Sequence, residues 1–252
     1  MFKQIRTLAT QASNAKPAFH IGQPPQYTLA SLRTFPSLEP HTFIPLPAKF
    51  FAAPNVRRDQ LWSAVVFEAD KARMGSGNVP TKGDKPFSNR KLRPQKGTGN
   101  ARLGDANSPH MDNGLKPFGI KAPHDWSTDL PTKVYAQAMQ HALGSKYKEG
   151  KLYIIGEGEG VKKHESDDSS IDFKYDHESQ GPEFVKRHNL QNLNLLFITE
   201  DVKSNLVAGT ASLAKKADVQ VKEDVEVRDI LKANRIYIEL SALQWLIGKY
   251  ST

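Results

Sequence analysis

Cysteine is absent from this chain of 252 residues, and long apolar runs are absent as well. Without cysteine there can be no disulfide, no thiolate zinc or iron–sulfur site and no cysteine nucleophile. The longest apolar runs, such as 64–67 and 195–198, contain only four residues, whereas a membrane-spanning helix needs about 20. These absences exclude a disulfide-rich secreted scaffold and predict that no helix of the chain spans a membrane.

Acidic residues are missing from the start of the chain, where the first one is Glu39. Phe2, Ile5 and Leu8 recur there at helical spacing, among basic, serine and threonine residues. This composition predicts a mitochondrial transit peptide over residues 1–30, with a disordered basic arm as the alternative. Eight of the 16 prolines lie in residues 1–55, so we expect residues 31–56 to form an extended, proline-rich segment along a surface.

The formal net charge of +8 is concentrated in one short part of the chain. Residues 71–104 hold nine basic residues and one acid, whereas the other 218 residues hold 26 of each. A local excess of this kind indicates a polyanionic partner. The nine residues predicted to bind nucleic-acid phosphates are Lys71, Arg73, Lys82, Lys85, Arg90, Lys91, Arg93, Lys96 and Arg102.

Apolar periodicity is lost between residues 74 and 123, and eight of the 17 glycines lie in residues 75–119. Such a segment cannot build a core of its own, so we expect a long basic loop that is unfolded alone and ordered by binding. The alternative is a solvated linker. Phe87, Phe118 and Trp126 could stack on exposed bases or anchor the base of the loop.

The rest of the chain has the pattern of an α/β domain, predicted over residues 57–252. Helices are predicted over 57–73, 132–148, 202–217 and 224–232, and a last helix is capped by Ser241. Strands are predicted at 152–155, 195–199, 219–221 and 236–240. Their alternation indicates a mainly parallel sheet flanked by helices. An acidic insertion without apolar spacing, residues 157–183, is expected on the surface.

Motifs that would indicate catalysis are weak or missing. The run Gly156–Gly160 follows a strand but lacks the Gly-Lys-Ser/Thr ending of a phosphate-binding loop. The eight histidines form no pair with ligand spacing on a helix, and no Gly-x-Ser-x-Gly elbow is present. We therefore predict no catalytic residue, no metal site and no cofactor.

The loop motif resembles a known family. A helix leads into a basic loop with Gln95-Lys96-Gly97-Thr98-Gly99 and Ala101-Arg102, followed by Ser108-Pro109, Gly114 and Phe118. This arrangement resembles the ribosomal protein L-four family of the large subunit, over residues 57–160 and 190–249. The tail Val225–Lys232 is similar as well. Arg93-Pro94 and Asn100 depart from the family's usual residues. The N-terminal extension and the acidic insertion suggest a mitochondrial member.

The resemblance implies a structural role in the mitochondrial large subunit, within the mitochondrial matrix, in support of subunit assembly and translation. The implied partners are large-subunit rRNA, neighbouring ribosomal proteins and the nascent polypeptide in the exit tunnel. The tip of the loop, near that tunnel, would contain Arg93, Gln95, Lys96, Gly97, Thr98 and Gly99. Two alternatives stay open: an RNA-binding module outside the ribosome, and a nucleotide-using α/β enzyme with a basic lid.

Overall fold

The structure, a computed structural model, describes residues 25–51, 55–108, 110–111, 116, 118–157, 170–175, 177–213 and 215–251. Its strands are β1 (Tyr27–Arg33), β2 (Pro40–Pro47), β3 (Leu152–Ile155), β4 (Leu195–Thr199), β5 (Ala217–Val221) and β6 (Arg235–Glu239). Its helices are α1 (Ala48–Phe51), α2 (Arg58–Ala72), α3 (Thr132–Lys148), α4 (Gln180–Arg187), α5 (Ser204–Thr210), α6 (Val227–Lys232) and α7 (Leu240–Tyr250). Short 3-10 turns occupy Lys82–Asp84 and Ala211–Leu213.

The described strands form one sheet with the order β2-β1-β3-β6-β4-β5. Strands β1 and β2 are antiparallel, and every other pairing is parallel. Because side chains alternate across a strand, the sheet has two apolar faces. On β6, Ile236 and Ile238 pack toward one face and Tyr237 packs toward the other. The prediction of a mainly parallel sheet flanked by helices is confirmed.

Each face of the sheet has its own core. The first core packs Ile238 of β6 against α2, α3, α6 and α7, with Met139 and Leu143 of α3 fully buried. The second core is aromatic and lies under α4 and α5. In it the Phe197 ring stacks on Tyr237 with centroids 5.1 Å apart. Together the two cores place α2 and α3, the helices that flank the basic loop, on the same side of the sheet.

The N-terminal boundary of the domain differs from the one predicted at residue 57. Strands β1 and β2 pair as a hairpin, and β1 also pairs with β3, so the sheet begins at Tyr27. Leu32 of β1 is fully buried in the first core. The prolines at positions 40, 45 and 47 weigh against a strand in the sequence. They are tolerated because β2 is an edge strand, where a missing N–H can face solvent.

Three smaller predictions also differ from the structure. Part of the segment predicted as a surface insertion is in the second core, because Ile171 and Phe173 are buried there and α4 begins at Gln180. The helix predicted over 202–217 is shorter, because Ala217 pairs with Leu195 in the sheet. Ser241 does not cap the last helix, because β6 passes directly into α7 and the N-cap position belongs to Glu239. Of the proposed leader, residues 1–30, the first 24 lie outside the described residues, whereas residues 27–30 belong to β1 and Ala30 is buried in the core.

Within the described part of the chain, no helix is both long enough and apolar enough to cross a membrane.

Candidate nucleic-acid interface

The basic loop begins at the end of α2 and ends at the start of α3, and a buried carboxylate fixes the first of these helices. Glu68 of α2 accepts hydrogen bonds from the Tyr135 hydroxyl of α3, at 2.8 Å, and from the backbone N–H groups of Val227 and Arg228, at 2.8 and 3.0 Å. These N–H groups lie in the first turn of α6 and have no partner within their own helix. Burial and the Glu68 carboxylate raise the pKa of Tyr135.

The opposite end of α6 is held from α3. The Lys146 ammonium donates to the carbonyl oxygen of Ala233 at 2.6 Å and lies 3.4 Å from that of Leu231. Burial lowers the pKa of this lysine. A negative charge at the N-terminus of a helix and a positive charge at its C-terminus both interact favourably with the helix dipole and stabilise the helix. The two helices that carry the loop are thus joined through α6, which fixes the position from which the loop departs.

At the root of the loop the two arms touch through their backbones. The His124 N–H donates to the Gly75 carbonyl oxygen at 3.1 Å. A Cβ atom on Gly75 would lie 1.7 Å from the His124 carbonyl oxygen, so this approach requires glycine. The Arg73 guanidinium covers the Trp126 ring at 4.4 Å and also lies 3.7 Å from Asp70. Trp126 therefore anchors the root, which is one of the two roles predicted for it.

Farther out, the arms remain paired, which differs from the expectation of a loop unfolded on its own. Val79 donates to the Ile120 carbonyl oxygen at 2.9 Å, and Leu92 donates to that of Gly104 at 3.0 Å. Asn107, which is 2% exposed, donates to the Phe87 carbonyl oxygen at 3.1 Å. These contacts are few and scattered along the loop, so they produce no periodic pattern of apolar residues in the sequence.

Two aspartates form ion pairs around the 3-10 turn. Asp84 accepts hydrogen bonds from the backbone N–H and hydroxyl of Thr81, at 2.9 and 2.6 Å, and pairs with Lys121 at 2.9 Å. These contacts, the Thr81 hydroxyl first, hold the pKa of Asp84 far below its usual range. Asp105 accepts from the Ser108 hydroxyl at 2.7 Å and pairs with Lys82 at 3.0 Å. The same two partners lower the pKa of Asp105.

The nine predicted phosphate-binding residues differ in the contacts that they make. Arg73 and Lys82 form ion pairs with Asp70 and Asp105, and Lys85 lies 6.0 Å from the Phe87 ring centroid. Lys71 is exposed in the last turn of α2. Lys91 donates to the Gln95 side chain. The residues that form no ion pair with a described carboxylate include Arg90, Lys91, Arg93, Lys96 and Arg102.

The closed end of the loop carries three of these charges, Arg93, Lys96 and Arg102, and the other two lie just before it. The Leu92–Gly104 hydrogen bond encloses residues 93–103, which include all the predicted tip residues. Gly97 and Gly99 have φ angles of 87° and 70°, a region that favours glycine. Gln95, Lys96 and Thr98 are exposed, whereas Arg93 is half-buried. Two close positive-φ glycines turn the chain sharply and leave the neighbouring Lys96 side chain exposed, a form suited to a crevice lined by phosphates.

The aromatic side chains of the loop differ in exposure. Phe118 is 96% exposed and Phe87 is 42% exposed, so both present ring surface that could stack on a base. Sequence reasoning did not single out the supporting residues Glu68, Lys146 and Asn107. The 3-10 turn did have a signal, because Thr81 and Asp84 have the spacing of a capping box.

The carboxyl edge of the parallel strands is unlike the loop. A crevice of about 310 Å³ lies there, the position at which α/β proteins usually bind nucleotides. Its lining includes Glu157, Glu200, Asp201 and Glu239, which repel phosphate. Among the described residues no group of three potential metal ligands occurs either. The geometry therefore favours the loop over this crevice as the functional site.

A charge-neutral α/β body with one paired, strongly basic loop defines a class of protein that binds a polyanion through an extension and not through a pocket. The comparisons with known proteins give the family. Residues 44–249 match the model of the Ribosomal protein L4/L1 family. The chain belongs to this family, as the resemblance of its loop motif implied.

Several relatives support the assignment over most of their length. The Large ribosomal subunit protein uL4m of Neurospora crassa is 35% identical over 246 residues, which are 91% of this chain and 73% of the relative. The uL4 protein of Methylobacterium radiotolerans is 32% identical over 195 residues, covering 77% and 86%. The uL4 protein of Thermus thermophilus is 31% identical over 183 residues, covering 72% and 79%.

Proposed function

We propose that the protein is a structural constituent of the large ribosomal subunit that binds large-subunit rRNA through the loop of residues 74–123. The observation that carries this proposal is the separation of charge: the whole formal excess of +8 lies within residues 71–104. The basic side chains at the closed end have no described acid to neutralise them. The relatives are named large ribosomal subunit proteins, which agrees with this role, and their family is not a class of enzymes.

The location of the loop tip is a finer part of the proposal. Residues Arg93 to Gly99 lie at the wall of the peptide exit tunnel, in reach of the nascent polypeptide, while the body contacts neighbouring ribosomal proteins. The closed, glycine-turned end of the loop supports this placement, since the side chains of Lys96 and Arg102 are exposed there. The predicted contacts are with phosphates along both arms and with rRNA at the tip.

The mitochondrial ribosome, in the matrix, is the proposed location. Support comes from the acid-poor N-terminal segment and from the likeness to the Neurospora crassa protein. A fusion of residues 1–30 to a fluorescent protein tests the targeting part. We expect import into mitochondria, and a fusion with Lys3, Arg6 and Lys16 changed to Gln should remain in the cytosol. Equal cytosolic distribution of both fusions would contradict the transit peptide.

The main experiment removes the loop and keeps its root. Residues 76–123 are replaced by a short Gly-Ser linker, because Gly75 and His124 are already in hydrogen-bond contact. The body should fold and melt as before, since both cores lie outside the deleted segment. The variant should be missing from large subunits purified by sedimentation at high salt, whereas the full chain co-migrates with them.

Other outcomes of experiments with the same proteins would favour one of the alternative functions. Release of the full chain from subunits at moderate salt would favour an RNA-binding module outside the ribosome. Normal incorporation of the loop-deleted chain would contradict the assignment of the loop. Saturable thermal stabilisation by a micromolar nucleotide would revive the enzyme alternative.

A further inference from the structure

Asp84 and Asp105 lie in the basic loop, although charge alone would favour no acid in a loop that binds a polyanion. Asp84 is the single acid among residues 71–104, and Asp105 is the residue immediately after that segment. Each carboxylate repels phosphate, and each also occupies a lysine that could otherwise neutralise one. Simple electrostatics therefore predicts that both aspartates weaken RNA binding.

The geometry indicates a different role for them. Both ion pairs start from the same 3-10 turn on the outgoing arm, Lys82–Asp84, and both end on the returning arm. Lys82 pairs with Asp105, in the part of the returning arm nearest the closed end. Asp84 pairs with Lys121, in the part nearest the root. One turn therefore holds two points of the returning arm that are 16 residues apart in sequence.

Neighbouring hydrogen bonds reinforce the two pairs. The backbone bond from Val79 to Ile120 lies beside the Asp84–Lys121 pair. The buried amide of Asn107 lies two residues beyond Asp105 and donates to the outgoing arm at Phe87. Ser108 and Thr81 each donate a hydroxyl hydrogen bond to one of the two aspartates. Each aspartate therefore has a local partner and a cross-arm partner, which fixes its side chain before any ligand is present.

We propose that Asp84 and Asp105 are positioning residues, which join the two arms of the loop so that its basic tip is presented to rRNA in one arrangement. This inference rests on the proposed function. A preorganised loop loses less conformational freedom on binding than a flexible one, and that saving exceeds the local repulsion between two paired carboxylates and phosphate. The two lysines act as cross-links between the arms, and the tip residues make the contacts with phosphates.

The test depends on whether removing the two carboxylates weakens or strengthens RNA binding, because the positioning role predicts weaker binding and simple electrostatics predicts tighter binding. The full chain with Asp84→Asn and Asp105→Asn gains two positive charges in net terms, and its affinity for an in vitro transcript of large-subunit rRNA is measured by filter binding across a salt series. We expect binding to weaken about three- to tenfold. The matched control is Asp129→Asn, an exposed acid just beyond the loop, which should bind as well as the unmodified chain or slightly better.

A charge exchange supplies a second, independent variant. Lys82→Asp alone places two acids together and should weaken binding. Adding Asp105→Lys restores an ion pair of reversed polarity with the original net charge, and should recover most of the lost affinity. Hydrogen exchange at the amides of Val79 and Leu92 reports arm pairing directly, and it should speed up in the double Asn variant while the body's amides stay protected.

The outcomes separate the two proposals. Weaker binding of the double Asn variant, with an unchanged melting temperature, supports the positioning role. Equal or tighter binding overturns it and leaves the proposed function intact. Failure of the unmodified chain to bind rRNA more tightly than an unrelated RNA of equal length overturns the proposed function itself.

Discussion

The body and the basic loop are built by opposite means. The body has two apolar cores, one on each face of a six-stranded sheet. In the described part of the loop, residues 74–123, Asn107 is the only buried residue. The body is therefore held by removal of apolar surface from water, and the loop by a few hydrogen bonds and exposed ion pairs. Substitutions in the body should alter folding, whereas substitutions in the loop should alter binding and leave folding unchanged.

The largest loss of folding stability is expected in the aromatic core. Phe197 is 1% exposed and packs against the rings of Tyr237, Phe184 and Phe35. Phe197→Ala leaves a cavity there and should lower the free energy of unfolding by about 3–5 kcal/mol. Urea titration measures the change. In the cold, where the variant stays folded, its affinity for rRNA should equal that of the unmodified chain, and a matching loss of affinity would break the distinction between the two regions.

Glu68 tests the junction of the two regions, and the expected loss is somewhat smaller. Glu68→Ala leaves the buried N–H of Val227 and the partly buried N–H of Arg228 without their acceptor, so the free energy of unfolding should fall by about 2–4 kcal/mol. Glu68→Gln retains one carbonyl oxygen and should lose about half as much. Thermal unfolding measures both. Equal stability of the two variants would show that the second carboxylate oxygen contributes nothing.

The basic residues at and just before the closed end of the loop should affect binding and not folding. Changing Arg90, Lys91, Lys96 and Arg102 to Gln should leave the melting temperature unchanged, because these side chains are exposed. The salt dependence of rRNA binding should become less steep, by about 0.7–0.9 in the log–log slope for each lost phosphate contact. The matched control changes four exposed body residues, Lys133, Lys186, Arg187 and Lys215, to Gln. An equal loss of slope in the control would indicate diffuse attraction and not a loop interface.

Acid titration gives the smallest expected effect. Contacts with Thr81 and Ser108 hydroxyls and with lysines lower the pKa of Asp84 and Asp105 below the ordinary value of 3.8. For a carboxyl group with a lowered pKa, the stabilising contribution is complete above the unfolded pKa and is lost as pH falls through the folded pKa. The ion pairs should thus persist at pH 3.8, and carboxyl NMR resonances should titrate below it. Midpoints at or above 3.8 would mean that the arms are not joined by these pairs.

Elements of the body could be predicted from the sequence where they have a clear local pattern of apolar residues. Strands β3, β4 and β6 are short apolar runs, and each was predicted within one residue. The β1–β2 hairpin was missed because the suitability of proline depends on whether a strand lies at an edge, and that is a property of the whole sheet. The burial of Ile171 and Phe173 was missed for a similar reason, since two isolated apolar residues in a polar segment show no period.

For the candidate site, composition indicated the region and its partner class but not its internal order. Seven of the nine basic residues lie in the loop and the other two at the end of α2, yet sequence alone could not show that Lys82 is paired with an acid and that Lys96 is not. That difference depends on Asp105, which is 23 residues from Lys82 in the chain. The acceptor role of Glu68 cannot be read from the sequence, because its partners in α6 follow it by 159 and 160 residues.

The sheet order also sets the sequence of events while the chain is being made. Strand β6, the last of the described strands along the chain, lies between β3 and β4. Until it has emerged, the part of the sheet formed by β2, β1 and β3 cannot join the part formed by β4 and β5, and the acceptor on α2 waits for N–H groups only a few residues upstream of β6. The basic loop is thus synthesised about 100 residues before the body that roots it can close. Chains that have not yet reached β6 carry the loop's charge without its fixed root, so correct rooting requires synthesis to have passed α6 and β6.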